Sequence, residues 1–225
     1  MHISIRLALW FPRQKNKQCF HHLHDQYLGA ARNKVDEAWA RIGDIRPISI
    51  TRDDIIKIGK DPAIAVKFPE SFGLGPDAYV GRLDVLHQIH CLDVLRREAN
   101  FDYYYGFAYP DGLASTTQLH KLHLSHCTYL LLEKIMCNAN WEVYTHFRYR
   151  DTIGPFADFN VNKKCRNFDA ILDWQESNAV NLELFRSLTN PGEGKWMPKN
   201  LKAVFDENWE KHHMDHDGNS LRVDE

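Results

Sequence analysis

His87-Gln88-Ile89-His90-Cys91 returns 36 positions later as His123-Leu124-Ser125-His126-Cys127. An α-helix turns about 100° per residue, so positions i, i+3 and i+4 share a face. Each copy therefore points two imidazoles and a thiol in one direction. Both copies are set in apolar helical text: Leu83, Leu86, Ile89, Leu92 and Leu95 around the first, Leu119, Leu122, Leu130 and Leu131 around the second. Two such helices packed antiparallel would gather four imidazoles in a half-buried place. A single HxxH on an apolar helix is more often a packed histidine than a ligand. Two copies with the same trailing cysteine point instead to a bound transition metal, because buried imidazole is costly without a partner. A disulfide-stapled helix pair with incidental histidines accounts for the same text.

The chain of 225 residues suits one domain with a sizeable core. Its hydrophobic content of 44% and charged content of 26% are those of an ordinary globular protein. A formal net charge of −2, with no dense Lys/Arg stripe, argues against a nucleic-acid partner. No stretch approaches the roughly 20 apolar residues that span a bilayer, so the chain reads as soluble. The histidine clusters at His21, His22 and His24 and at His212, His213 and His216 are expected in solvated ends. Cys91, Cys127, Cys137 and Cys165 lie in the central block and Cys19 stands apart. The four central cysteines are read as thiolate ligands or as disulfides, according to the redox compartment. The sequence has no N-x-Ser/Thr acceptor to signal secretion.

Outward from the repeat, the text predicts a mainly α domain with minor β. A helix is expected from about residue 30 to Gly43, a short strand at Ile48–Ile50, and a helix capped by Thr51. Alternation over Ala63–Phe68 predicts a further strand. The motif helices are expected over about 80–100 and 115–138, and the alternating stretch 141–149 precedes a loop at 153–162. A short helix follows Cys165. The organisation reads as a loose segment at 1–26, a domain at 27–175 and a polar extension at 176–225, with a helix near 201–211.

These residues resemble the UstYa-like proteins, also called the DUF3328 family, of fungal secondary-metabolite clusters. The two HxxHC motifs are the family signature. Val35-Asp36-Glu37-Ala38-Trp39 is similar to its V/I-D-x-x-W segment, and Leu86 to Arg96 to its HQ-LHC-x-x-x-LR pattern. Met136-Cys137, then Cys165-Arg166-Asn167-Phe168 and Trp174, look like its later cysteine block. Together they cover residues 27–175. Two departures stand out: members usually begin with a transmembrane anchor that this chain lacks, and often place a His where Lys163 stands. The resemblance implies oxidation of peptide-derived or related products, by cyclisation, hydroxylation or halogenation, with a copper requirement. It also implies a lumenal setting and a homodimer or a heterodimer with a related protein.

On this reading His87, His90, His123 and His126 are the metal ligands and the catalytic residues. Imidazoles suit copper, iron and zinc alike. Redox chemistry puts copper first and iron second, and zinc belongs to a non-redox site. Cys91–Cys127 and Cys137–Cys165 disulfides are the favoured pairing if the protein is lumenal, with thiolate ligation as the alternative. His120 is read as a surface residue or an extension of the imidazole row. Arg96 and Arg97 are read as surface ion pairs, Tyr103, Tyr104 and Tyr105 as packing or groove lining. Asp84 and Asp93 are read as solvated or as orienting an imidazole. Two rivals remain: a zinc hydrolase, for which HExxH text is missing, and a non-catalytic accessory protein.

Overall fold

A computed structural model of the protein describes residues 27, 33–148, 154–159 and 165–188. The fold is mainly α with two small antiparallel sheets. Helix α1 (Asn33–Ile42) places Val35, Ala38, Trp39 and Ile42 at helical spacing, and Gly43 closes its last turn, its N–H donating to the Trp39 carbonyl at 2.9 Å. A methyl group at Gly43 would sit 3.2 Å from that carbonyl and 3.7 Å from the His90 Cα. The bare glycine thus lets the end of α1 approach the first motif closely.

Strand β1 (Ile48–Ile50) leads into α2 (Arg52–Lys57), whose capping box is complete. The Asp54 backbone N–H donates to Thr51 Oγ1, and the Thr51 N–H donates to Asp54 Oδ2 at 3.1 Å, which satisfies a buried carboxylate. Strand β2 (Tyr79–Gly81) pairs antiparallel with β1 in the register Ile48↔Gly81 and Ile50↔Tyr79. This pairing delays the first motif helix, α3, to Asp84–Glu98. The strand expected over Ala63–Phe68 does not form. A turn occupies 61–64, and only Lys67 makes an isolated bridge to Tyr79. Ile64 and Val66 face solvent, so their alternation has no second face to cover.

After a short α4 (Phe101–Tyr104), the second motif helix α5 (Gln118–Cys137) is capped by Thr117, which accepts from the His120 N–H at 3.0 Å. Strands β3 (Thr145–Phe147) and β4 (Phe156–Asp158) form the second sheet, so the segment expected as a loop at 153–162 contributes a strand. Helix α6 (Phe168–Asn178) starts on Asn167, and α7 (Leu182–Arg186) starts on Asn181.

The core has two clusters. Leu86, Ile45 and Leu172 pack with Ile42, Leu83, Val85, Ile89 and Phe168, joining α3 to α1 and α6. Phe68, Ala78 and Val180 pack with Phe72, Val80, Phe185 and Leu188. Buried Gln175 fastens α6 to the chain before β1, donating to the Asp44 carbonyl at 2.8 Å and accepting from the Arg46 N–H at 3.3 Å. Beyond it, Val180, Phe185 and Leu188 pack in the second cluster. The expected loose segment at 1–26, the helix near 201–211, both terminal histidine clusters, Cys19 and Lys163 lie outside the described residues. Among the described residues, no helix is long and apolar enough to cross a membrane.

Candidate metal centre

The order of contacts shows that α3 and α5 run antiparallel. His87 stacks toward His126 with ring centres 5.6 Å apart, and His90 toward His123 at 5.7 Å. His87 and His90 are themselves 6.3 Å apart. The structure thus brings all four motif imidazoles together. At the ends of the pair, Lys134 meets Asp84 at 2.6 Å and His120 meets Glu98 at 3.0 Å.

These contacts obey a local twofold. Shifting α3 residues by 36 positions turns His87 into His123, His90 into His126 and Cys91 into Cys127. The two histidine contacts then exchange, and the Asp84–Lys134 contact becomes His120–Glu98. Cys91 and Cys127 lie at the axis, both completely buried, and their side chains hydrogen-bond.

Burial sets the protonation of the site. His123 is pushed down to about 4 by desolvation and by the neighbouring His90 and His126. Burial, then the charge of His126, lowers His87 as well. Both present neutral imidazole at pH 7, the form that ligates metals. Burial raises both Cys91 and Cys127, so in the metal-free chain the protonated thiol is favoured at each.

One trio has donor atoms close enough to share an ion: those of His87, Cys91 and His126 all lie within 4.8 Å of one another. Cys91 Sγ is 3.9 Å from His87 Nε2. Ligand atoms about 2.0–2.3 Å from a tetrahedral ion lie roughly 3.3–3.7 Å apart. The donor set therefore fits a borderline or soft ion after a contraction of up to about 1.5 Å.

Several expectations are corrected. Cys91 and Cys127 are free thiols and not a disulfide. Cys137 is a free, exposed thiol, so Cys165, which is disulfide-bonded, is not bonded to it. Asp93 binds Arg96 at 2.7 Å and Arg97 at 2.8 Å, and Asp84 binds Gln88 and Lys134, so neither carboxylate has an imidazole as its hydrogen-bond partner. His120 is a half-buried partner of Glu98, packed on Tyr105 with ring centres 5.0 Å apart.

The sequence reading missed the surroundings of Arg96. Its guanidinium lies over the rings of Trp39 and Tyr104 and donates to Asp36 at 2.9 Å, Asp93 at 2.7 Å and Tyr104 at 2.7 Å. Asp36 and Trp39, one turn apart on α1, hold the arginine that follows the first motif. The signal was present: an acid and a tryptophan at i, i+3 on α1, and an arginine three residues after Asp93 on the first motif helix.

The family profile described as "Mycotoxin biosynthesis protein UstYa" matches residues 7–178. Among curated relatives, "UstYa family oxidase aprY" of Aspergillus flavus is 39% identical over 79% of this chain and 55% of its own. "UstYa family oxidase phomYc" of Diaporthe leptostromiformis is 30% identical over 68% of this chain and 59% of its own. "Transacylase cctO" of Talaromyces islandicus is 27% identical over 70% of this chain and 53% of its own. The chain thus spans a little over half the length of these relatives. No solved structure matches it.

Proposed function

This chain belongs to the UstYa family, and from that membership we propose that it is a metal-dependent oxidase or oxygenase of fungal secondary-metabolite biosynthesis. Copper is the metal proposed, with iron second, and a peptide-derived natural product the substrate. The reaction is an oxidative cyclisation, hydroxylation or halogenation. The observation that carries this reading is the convergence of four motif imidazoles from two helices. His87, His90, His123 and His126 hold the metal.

Copper bound there supplies the redox chemistry with dioxygen that zinc lacks. The chain's own part is to present neutral imidazoles and to keep water off one side of them. His87, His90 and His123 are half-buried, whereas His126 is exposed and marks the open side. Leu122 and Tyr129, one turn before and after His126 on α5, are exposed beside it and suit an apolar substrate group. The α5 face turned away from α3 carries Tyr129, Leu132 and Met136, all exposed. That face supports covering by a second UstYa-like subunit, in a homodimer or heterodimer.

Metal analysis with EPR on untagged protein tests this proposal, using wild type, His90→Ala and His126→Ala. The expected result is stoichiometric copper, bound by wild type and lost by both variants. Zinc alone would leave a non-redox site, and no metal after reconstitution would leave the histidines as packing for an accessory protein.

A further inference from the structure

The twofold makes Cys91 and Cys127 equivalent in sequence, in burial and in distance from the axis, yet the structure does not treat them alike. Cys91 belongs to the trio with His87 and His126, while Cys127 is not part of that group. Resting on the reading that the four motif imidazoles hold a metal, we propose that Cys91, whose sulfur lies nearest His87 and His126, is a further, thiolate ligand of the same ion, and that Cys127 is a hydrogen-bonding partner of the Cys91 sulfur. A thiolate added to imidazole donors favours copper or zinc over harder ions. His126 comes from α5, and His87 and Cys91 from α3, so the ion would tie the helices together.

The proton balance is simple. One divalent ion displaces one proton from the Cys91 thiol to solvent, leaving a metal–sulfur bond, an ion still divalent and a net charge of the ion–thiolate unit lower by one. Cys127 keeps its proton and donates it in a hydrogen bond to the bound sulfur. Such a hydrogen bond draws charge from the sulfur and tunes the centre without ligating it. His90 and His123, the other two imidazoles of the proposed donor set, stand beside this trio.

The test is titration of the metal-free full chain with Co(II), reading the near-ultraviolet thiolate-to-cobalt band and the proton released. Wild type is expected to show the band at one cobalt per chain. Cys91→Ser should abolish the band and weaken cobalt binding at least tenfold, whereas Cys127→Ser should keep the band, shifted in energy. An undiminished band in Cys91→Ser overturns the inference while leaving the metal reading intact. Loss of the band in both variants makes the two sulfurs bridging ligands and overturns the distinction between them. A wild type that binds no cobalt, copper or zinc overturns both the inference and the metal reading. Should Cys91→Ser fail to fold, X-ray absorption on copper-loaded wild type decides: one sulfur at about 2.3 Å is expected, and a shell of nitrogen alone refutes it.

Discussion

The two motif helices carry the same five-residue pattern in opposite surroundings. Helix α3 is enclosed by α1 and α6: Leu86 is completely buried and Arg96 is held on all sides. Shifted by 36 positions, Leu86 becomes Leu122 and Arg96 becomes Leu132, both exposed, the latter 53% so. The difference teaches that a repeated donor motif does not bring a repeated environment. One copy is anchored in the core, and the other leaves Leu122, Tyr129, Leu132, Ile135 and Met136 exposed. A helix of that kind normally has a second neighbour.

The largest expected contrast lies at the leucines. Leu86→Ala should destabilise the fold by about 2–5 kcal/mol in urea unfolding, and Leu122→Ala by less than about 1 kcal/mol. Similar losses at both sites would mean that α5 is as buried as α3 and would dissolve the comparison. Next come the positions ten residues after the first motif leucine. Arg96→Ala removes one partner of a half-buried charge cluster and should cost about 2–4 kcal/mol, against about 0.5 kcal/mol or less for Leu132→Ala. An Arg96 variant as stable as wild type would make its packing on Trp39 incidental.

The smallest effect is on pH dependence in the metal-free protein. His123 titrates at about 4 when folded and near 6.5 when unfolded. Between those values the unfolded chain takes up a proton that the folded chain refuses, so stability is present above about pH 6.5 and is lost as pH falls toward 4. Melting temperature should drop by about a few degrees over that window, and His123→Gln should remove more of the drop than His87→Gln. A profile unchanged in His123→Gln would place the acid sensitivity elsewhere.

Much of this was legible in the sequence. The motif helices, their antiparallel pairing, the strand at Ile48–Ile50 and the Thr51 cap all follow from periodicity and capping chemistry. What escaped depended on partners distant in the chain. Ala63–Phe68 alternates as a strand would, but β2 pairs with β1 and leaves it a single bridge. Phe156–Asp158 exists as a strand because Thr145–Phe147 lies opposite. For the site, the four histidines could be read directly, whereas the unequal geometry of Cys91 and Cys127 could not. Equivalent text in both copies carries no information about which sulfur faces the imidazoles.

The end contacts of the helix pair decide which helix may pair with which. Helix α3 offers acids at both contact positions, Asp84 and Glu98, and α5 offers bases at both, Lys134 and His120. Two α3 segments from different chains, aligned by the same twofold, would set Asp84 against Glu98. Two α5 segments would set His120 against Lys134. Only the mixed pair satisfies every end contact, so the charges discriminate against like-with-like association of two helices whose central motifs are otherwise self-complementary.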